Sequence, residues 1–595
     1  MINDVHQQFA AYFPSEPLQP WLYLLSKKLG EGHICIDTDD VDQADWMEAG
    51  YNNVIGNKEL QQEALVSDGT SMQPFVLVND RLYMQRYYHY ETLILNRIKA
   101  FIEKEKSESA QTVLTLNQHA PFIKNLFDSN RQDTGATDAP VNWQMAAALT
   151  AVLGNFSIIT GGPGTGKTFT VAKILSILFT INPNLKVALT APTGKAAARM
   201  GESLKAAAND GGDLLGAKFE SLQPSTIHRL LGSIRNSPHF KHNRDNIVNY
   251  DVVIADESSM IDSSMFAKLL DAIGPETKMI LLGDKDQLAS VEAGSLFGDL
   301  CQAQEKLNMF SGERAALINS FINNPAEQIP ALHIATNATH PLFQHVIELQ
   351  HSRRFSDNKG IGKFSKAIIH NSEVAIKSFF SNADADVTID PAYEEALLKQ
   401  FIAGYEAYIQ EPDVRTALKT LNNLRVLCAV REGEQGVYAI NKKIEKYLQQ
   451  KGLIQLTGDF YEHRPIMVSI NNYELGLFNG DVGIVRMDAE SNTLKVWFEN
   501  ADGEVKSVLP GYISNAETVY AMTIHKSQGS EFKQVFVVLP MGDAIPILTR
   551  ELLYTAVTRA KEKVFVQGSE ALILQTSRAS VQRGSGIIDR FKQGN

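Results

Sequence analysis

The sequence predicts an α/β protein: two parallel-sheet domains, a small β-barrel module inserted in the second, and an α+β amino-terminal domain. Three observations carry this. Gly161–Thr168 reads Gly-Gly-Pro-Gly-Thr-Gly-Lys-Thr, a G-x-x-x-x-G-K-[ST] phosphate loop between an apolar strand candidate, Phe156–Thr160, and a helical pattern, Phe169–Thr180. Apolar strands at Val187–Thr190, Val252–Ala255 and Met279–Leu282 alternate with helical stretches from Gly154 to about Cys301, as in a parallel sheet. The alternation returns at Arg425–Val430, Gln534–Leu539 and the helix Glu551–Ala560, without a second phosphate loop, around an all-β stretch at Leu453–Val519.

Taken in order, Met1 to about Lys124 shows no catalytic motif. Pro20–Leu29 and Tyr90–Ile102 read as helices, and Phe75–Met84 as a hairpin turning at Asn79-Asp80. We expect residues 1–127 to form a packing or partner-docking domain, and the polar stretch 128–140 to be a linker. The first α/β domain is expected over 141–345, with the polar 233–249 as a protruding hairpin. The second is expected over 346–452 and 520–595, interrupted by the β module at 453–519. Within that module Ile466–Ile470, Gly483–Met487, Thr493–Phe498 and Lys506–Leu509 read as short strands between Asn and Gly turns.

Bulk properties set the bounds. A chain of 595 residues suits about three to five domains. Its net charge of −12 is not that of a free-standing nucleic-acid binder, although it allows a local basic groove and a partner that supplies further contacts. Three distant cysteines, Cys35, Cys301 and Cys428, exclude a cysteine-based zinc site or disulfide framework and suit a reducing cytoplasm. The start has no basic segment followed by an apolar run, and no stretch has the length to span a bilayer, so no membrane partner is expected.

The chemistry sits in short runs. Gly161, Gly162, Pro163, Gly164, Thr165 and Gly166 would present bare N–H groups to phosphates, since a Cβ would hold the backbone away. Lys167 would reach the β- and γ-phosphates and the hydroxyl of Thr168 would bind Mg²⁺, at a helix N-terminus that favours anions. ATP and Mg²⁺ are therefore the expected nucleotide and cofactor. The strand Val252–Ala255 runs into Asp256, which could hold Mg²⁺, and Glu257, which could polarise the attacking water. Gln287, after the next strand, is placed for a γ-phosphate contact. Gln144, upstream of the loop, offers an amide that could read adenine. Ala191–Arg199 and Ser225–Gly232 put Pro192, Thr193, Lys195, Thr226 and His228 after a strand or at a helix start, an arrangement that grips nucleic-acid phosphates. His228 taken alone also fits a core histidine.

Together these motifs resemble superfamily 1 helicases, two RecA-like P-loop NTPase domains with ATP between them. Over nearly the whole length the chain is similar to the RecD family, the α subunits of exodeoxyribonuclease V (the RecBCD complex). The matching runs are Gly161–Thr168, Ala191–Arg199, Ser225–Gly232, Ala255–Asp262, Leu282–Gly294, Gly476–Gly483, Thr523–Phe532 and Tyr554–Ala560, with Gly30–His33 and Asp80–Tyr83 outside the core. The resemblance implies an SH3-like fold for the inserted module and arginine fingers at Arg354 and Arg559, with Arg353 a competitor for the first. It implies DNA contacts at Thr523, His525 and Ser527, and nucleotide coupling through Gln528, Gly529 and Glu531. It also implies 5′→3′ movement on the 5′-ended strand of a duplex end, RecB-like and RecC-like partners, an amino-terminal domain that docks on RecC, and a bacterial cytoplasmic location. Gln287 is followed by Leu288-Ala-Ser-Val291, without the aromatic pair that relatives of opposite polarity carry. No acidic cluster with a lysine marks a two-metal nuclease site, so a motor within a nuclease is expected. The alternatives are a stand-alone RecD-like helicase and a scaffold whose phosphate loop has decayed.

Overall fold

The computed structural model describes residues 4–592 apart from 42, 52–53, 129–140, 209–212, 336–339, 357–358, 473, 500–502 and 543–544. The linker expected at 128–140 lies outside the described residues but for Asp128, the last residue of a helix.

The amino-terminal sheet uses β1 (Cys35–Asp37), β2 (Val66–Ser67), β3 (Phe75–Val78) and β4 (Arg81–Met84), in the order β1-β4-β3-β2. Asn79 and Asp80 turn the β3–β4 hairpin with φ of 51° and 56°, the left-handed pair whose twist suits a two-residue hairpin. Helix Gln19–Gly30 packs Trp21, Leu22, Leu24 and Leu25 into one core with Phe75, Leu77 and Leu82. That domain's own core ends at β4. The helix expected at Tyr90–Ile102 runs from Gln85 to Gln118, because the residues beyond Ile102 contain no Gly or Pro and many strong helix formers. Its Ile94, Leu95, Ile98 and Phe101 lie in the core of the following α/β domain, with Phe156, Ile158 and Val253. The expected boundary at 127 therefore moves back to about Met84.

The first parallel sheet comprises β5 (Phe156–Thr160), β6 (Val187–Ala191), β7 (Ser225–Thr226), β8 (Val252–Ala255), β9 (Lys278–Gly283) and β10 (Val346–Glu348), ordered β10-β5-β9-β8-β6-β7. β10 pairs with β5 from Val346↔Ile158 to Glu348↔Thr160, so the boundary expected at 345/346 falls too early. Three residues carry no periodicity that would assign them to either sheet. The stretch 233–249 makes the isolated bridges Ser233↔Phe240, Asn243↔Asn246 and Val248↔Ile273 and is no regular hairpin.

The second sheet takes β11 (Val387–Asp390) and β12 (Leu424–Cys428) before the chain leaves for the inserted module. That module is the antiparallel β13 (Pro465–Val468), β14 (Val482–Asp488), β15 (Thr493–Glu499), β16 (Val505–Val508) and β17 (Ala516–Thr518), in the order β16-β15-β14-β13-β17. The chain returns as β18 (Ala521–Thr523), β19 (Phe532–Val538) and β20 (Ala560–Gln567), completing the parallel order β11-β20-β19-β12-β18. The end of the chain does not stay with this domain. Helix Ile587–Lys592 buries Ile587 and Phe591 beside Ile94 and Leu300, in the core of the first α/β domain. The span expected for the second domain, 520–595, thus loses its last residues to the other side of the molecule.

Candidate functional site

The phosphate loop joins β5 to helix Lys167–Ile181. Gly164 and Gly166 sit at φ of 80° and 90°, where a side chain is strained. A Cβ on Gly161 would come within 2.7 Å of Thr165 Oγ1, and one on Gly162 within 2.9 Å of Tyr554 Oη. The loop braces itself: Thr165 Oγ1 donates to the Gly162 carbonyl at 2.8 Å, and Gln144 Nε2 to the Thr165 carbonyl at 3.0 Å. One of the two N–H donors of the Gln144 amide, the group expected to read adenine, is thus given to the loop. Lys167 Nζ folds back on the carbonyls of Gly161 and Gly162, at 2.5 and 3.3 Å. No side chain caps the helix, so its first N–H groups and dipole are left for an anion. The cradle fits a nucleotide's phosphates.

Acidic groups stand beside it. Burial raises the Asp256 carboxyl to about 6, reinforced by Glu257 and opposed by Lys167. Glu257 holds φ at 51°, an uncommon conformation for a non-glycine residue, and its N–H donates to Asp256 Oδ1 at 2.8 Å. Asp284, 1% exposed, accepts from Gln287 Nε2 and Tyr554 Oη, both at 3.0 Å. Its carboxyl is also pushed up to about 6 by burial, against the pull of Lys167. Sequence reading passed over Asp284, although, like Asp256, it is an acid directly after an apolar strand. Buried carboxylates short of countercharge suit a divalent cation. Among the described residues no three His, Cys, Asp or Glu side chains gather around one point, so a cation here would draw ligands from phosphates and water.

The second domain closes over this loop. Helix Arg550–Thr558 presents Tyr554 to Asp284, and Arg559 follows it at 3% exposure. Arg559 donates to Gln287 Oε1 at 2.8 Å and to the Ser530 carbonyl at 3.2 Å. Arg354 lies against the loop, where a Cβ on Gly164 would meet its Cβ at 2.5 Å, and donates to Glu531 Oε1 at 2.8 Å. Arg353 is exposed, with its guanidinium 5.2 Å from the centroid of the Phe169 ring.

Glu531 gathers Arg354, Lys561 at 3.2 Å, and Arg199 from the first domain, a residue the sequence reading did not single out. Burial opposes its ionisation, but Arg199 and Arg354 override that and hold the carboxyl at about 2. Folding lowers this pKa from 4.5, so the stabilisation is whole above pH 4.5 and disappears as pH falls toward 2. Glu531→Gln is expected to lower the thermal midpoint at pH 7. The gap from the wild-type chain should narrow as pH drops below 4.5. A gap independent of pH in a thermal melt series would contradict this.

The nucleic-acid candidates divide between the domains. β6 and β7 pair at Thr190↔Ser225 and Ala191↔Thr226, so Pro192, Thr193 and Lys195 leave the sheet beside Thr226 and His228. Thr193 Oγ1 accepts the Ala196 N–H and Thr226 Oγ1 the Arg229 N–H, each at 3.2 Å, so both hydroxyls cap helix starts. Lys195 and His228 are exposed, and His228 is no core histidine. Arg229 lies over the Phe478 ring of the inserted module, 5.5 Å from its centroid. On the second domain, Thr523 Oγ1 accepts the Lys526 N–H at 3.2 Å, and His525 opens the following turn. Ser527, expected to touch DNA, is fully buried and donates to the Ile524 carbonyl at 2.7 Å. The turn needs that hydroxyl for itself. A Cβ on Gly529, a residue expected at the nucleotide, would lie 3.7 Å from Thr193 Oγ1 and 3.8 Å from Ala196 Cβ across the domain seam.

Comparison with known proteins follows this layout. Residues 2–83 match the RecBCD enzyme subunit RecD, N-terminal domain; residues 144–293 match an AAA domain; and residues 518–567 match the UvrD-like helicase C-terminal domain. The chain is 32% identical to the RecBCD enzyme subunit RecD of Haemophilus influenzae over 91% of this chain and 84% of that one. It is 32% identical to the subunit of the same name in Mycolicibacterium smegmatis over 97% and 94%. The ATP-dependent RecD2 DNA helicase of Deinococcus radiodurans is 28% identical over 76% of this chain but only 52% of its own length.

Proposed function

The chain belongs to the RecD family of RecBCD enzyme subunits, and from that premise we propose that it is the ATP-dependent, 5′→3′ DNA helicase motor of a RecBCD-type helicase-nuclease. RecB-like and RecC-like subunits would be its partners, the amino-terminal domain its docking module, and bacterial double-strand ends its substrate, processed for recombinational repair. DNA cleavage is left to a partner subunit. The observation that carries the reading is the pair of buried contacts from one second-domain helix and its end, Tyr554 to Asp284 and Arg559 to Gln287, onto the nucleotide side of the first domain.

In this reading Lys167 holds the phosphates, and Glu257 polarises the attacking water. Arg559 and Arg354 stabilise charge on the transferred phosphoryl group when the cleft is closed. Thr168 and Asp256 would hold Mg²⁺, which supplies charge neutralisation at the phosphates. Because the two domains meet along the seam where Gln528 Nε2 donates to the Leu288 carbonyl, closing and opening the cleft shifts the second domain's Thr523 and His525 against the first domain's Thr193 and Lys195. Two grips on one strand then alternate, and the chain walks.

The test is unwinding of duplexes with a 5′ or a 3′ single-stranded tail by the chain reconstituted with its partner subunits. The same complex carrying Lys167→Ala is the control that assigns the unwinding to this chain. Unwinding from the 5′ tail alone is expected. Unwinding from the 3′ tail alone would overturn the polarity and leave the nucleotide assignments standing.

A further inference from the structure

The loop after Gln287 is gripped from three sides. The second domain holds its start: the Leu288 N–H donates to Thr555 Oγ1 at 2.9 Å, and the Leu288 carbonyl accepts from Gln528 Nε2 at 3.0 Å. The C-terminal segment holds its far half. Arg583 donates Nη2 to the Ser290 carbonyl at 2.6 Å and Nη1 to the carbonyls of Glu292 and Gly294 at 3.0 and 3.2 Å. Ser290 Oγ closes the loop on the same Glu292 and Gly294 carbonyls, both at 2.9 Å.

The amino-terminal domain completes the junction. The Gly294 N–H donates to the Gly32 carbonyl at 2.9 Å, and the Gly584 carbonyl accepts the Ile34 N–H at 3.0 Å. The Gly584 N–H donates to His33 Nδ1 at 2.8 Å. A Cβ on Gly32, itself at φ 96°, would press on the Arg583 guanidinium at 3.0 Å. Three parts of the chain, remote in sequence, thus meet on one arginine.

We infer that Arg583 is a positioning residue: it ties the Ser290–Gly294 loop to the amino-terminal domain, so that movement at Gln287 and the docking domain are mechanically coupled. The inference rests on the helicase reading above and adds to it a route between the nucleotide cleft and the partner-docking domain. Three carbonyls converge on a single side chain, and a planar guanidinium with fixed donors satisfies them, whereas a lysine ammonium offers one point charge. Gln287 keeps its own partners, Asp284 and Arg559, whatever stands at 583. ATP binding should therefore survive the substitution and coupling should not.

Two measurements on the full chain test this, with Arg583→Lys as the mild variant and Arg583→Ala as the severe one. Single-stranded-DNA-stimulated ATPase should fall about tenfold in both, with the unstimulated rate and the KM for ATP within about twofold, because hydrolysis and coupling are separable contributions. A fluorophore on Val291→Cys, at a position 72% exposed, should lose anisotropy in the Arg583→Lys background as the loop is released. Unchanged anisotropy, or full stimulation in both variants, would overturn the positioning role. Parallel loss of unstimulated and stimulated rates would overturn it too, in favour of a simple structural strap. The helicase reading is judged separately, by whether DNA stimulates the unsubstituted chain at all, and the anisotropy result stands in either case.

Discussion

Glu257→Gln is expected to slow ATP hydrolysis by about 10²- to 10⁴-fold while leaving ATP and single-stranded DNA bound at near wild-type affinity, as for loss of a general base. The phosphate loop is built by other residues: Thr165 and Gln144 brace it, Lys167 folds back on its carbonyls, and the uncapped helix start is left for an anion. Glu257 enters only through its carboxylate, at a residue held at φ 51° by the turn after β8. A strained backbone at that position is what aims a side chain away from the strand axis. Glutamine keeps the size and removes the base. Single-turnover hydrolysis with enzyme in excess, beside binding of a fluorescent ATP analogue, separates the two effects. Hydrolysis at the wild-type rate would remove Glu257 from the catalytic set.

The second large effect concerns the arginines. Arg354→Ala and Arg559→Ala are each expected to lower kcat about 10³-fold or more, the range seen for arginine fingers, whereas Arg353→Ala should change it only a few-fold. Arg559 is almost wholly buried and already spans the cleft to Gln287. Its removal also leaves a buried amide oxygen unpaired, so this variant should melt earlier than the others. Arg354 lies against Gly164 but is held by Glu531, so to act as a finger it would have to share or leave that carboxylate as the cleft loads. Arg353 points to solvent over Phe169. Steady-state ATPase at saturating ATP and DNA ranks the three. A larger loss for Arg353→Ala than for Arg354→Ala would exchange their assignments.

Closure also explains the place of Arg199. The residue ends a run that reads as a nucleic-acid motif, yet its guanidinium meets Glu531 in the other domain. Arg199 and Arg354 share one carboxylate, so the run that reads as a nucleic-acid motif and the arginine expected at the nucleotide meet through a single side chain. Nothing in the spacing of these residues announces it, since they lie far apart in the chain.

The sequence by itself determined whatever depends on a few consecutive residues. Eight residues specify the phosphate loop, because glycine alone tolerates its backbone at Gly164 and Gly166 and only Lys167 and Thr168 carry the polar reach. Asn79-Asp80 specify a hairpin turn by the same local conformational preference. Strands β5, β6, β8, β9, β12, β19 and β13 to β16 announce themselves through apolar runs and turn residues, with ends shifted by a residue or two, whereas the short or edge strands β7, β10, β11, β17 and β18 and the strand β20 do not. Tertiary structure alone decided what depends on distant neighbours. β10 joins the first sheet through pairing with β5, and helix Gln85–Gln118 serves the core of the α/β domain. Ser527 is spent on its own turn, Gln528 reaches the Leu288 carbonyl in the other domain, and Arg583 reaches Ser290 across 293 positions of chain. Backbone preferences act within a few residues. Burial, domain closure and the partner of a guanidinium are settled by packing among segments that the sequence keeps apart.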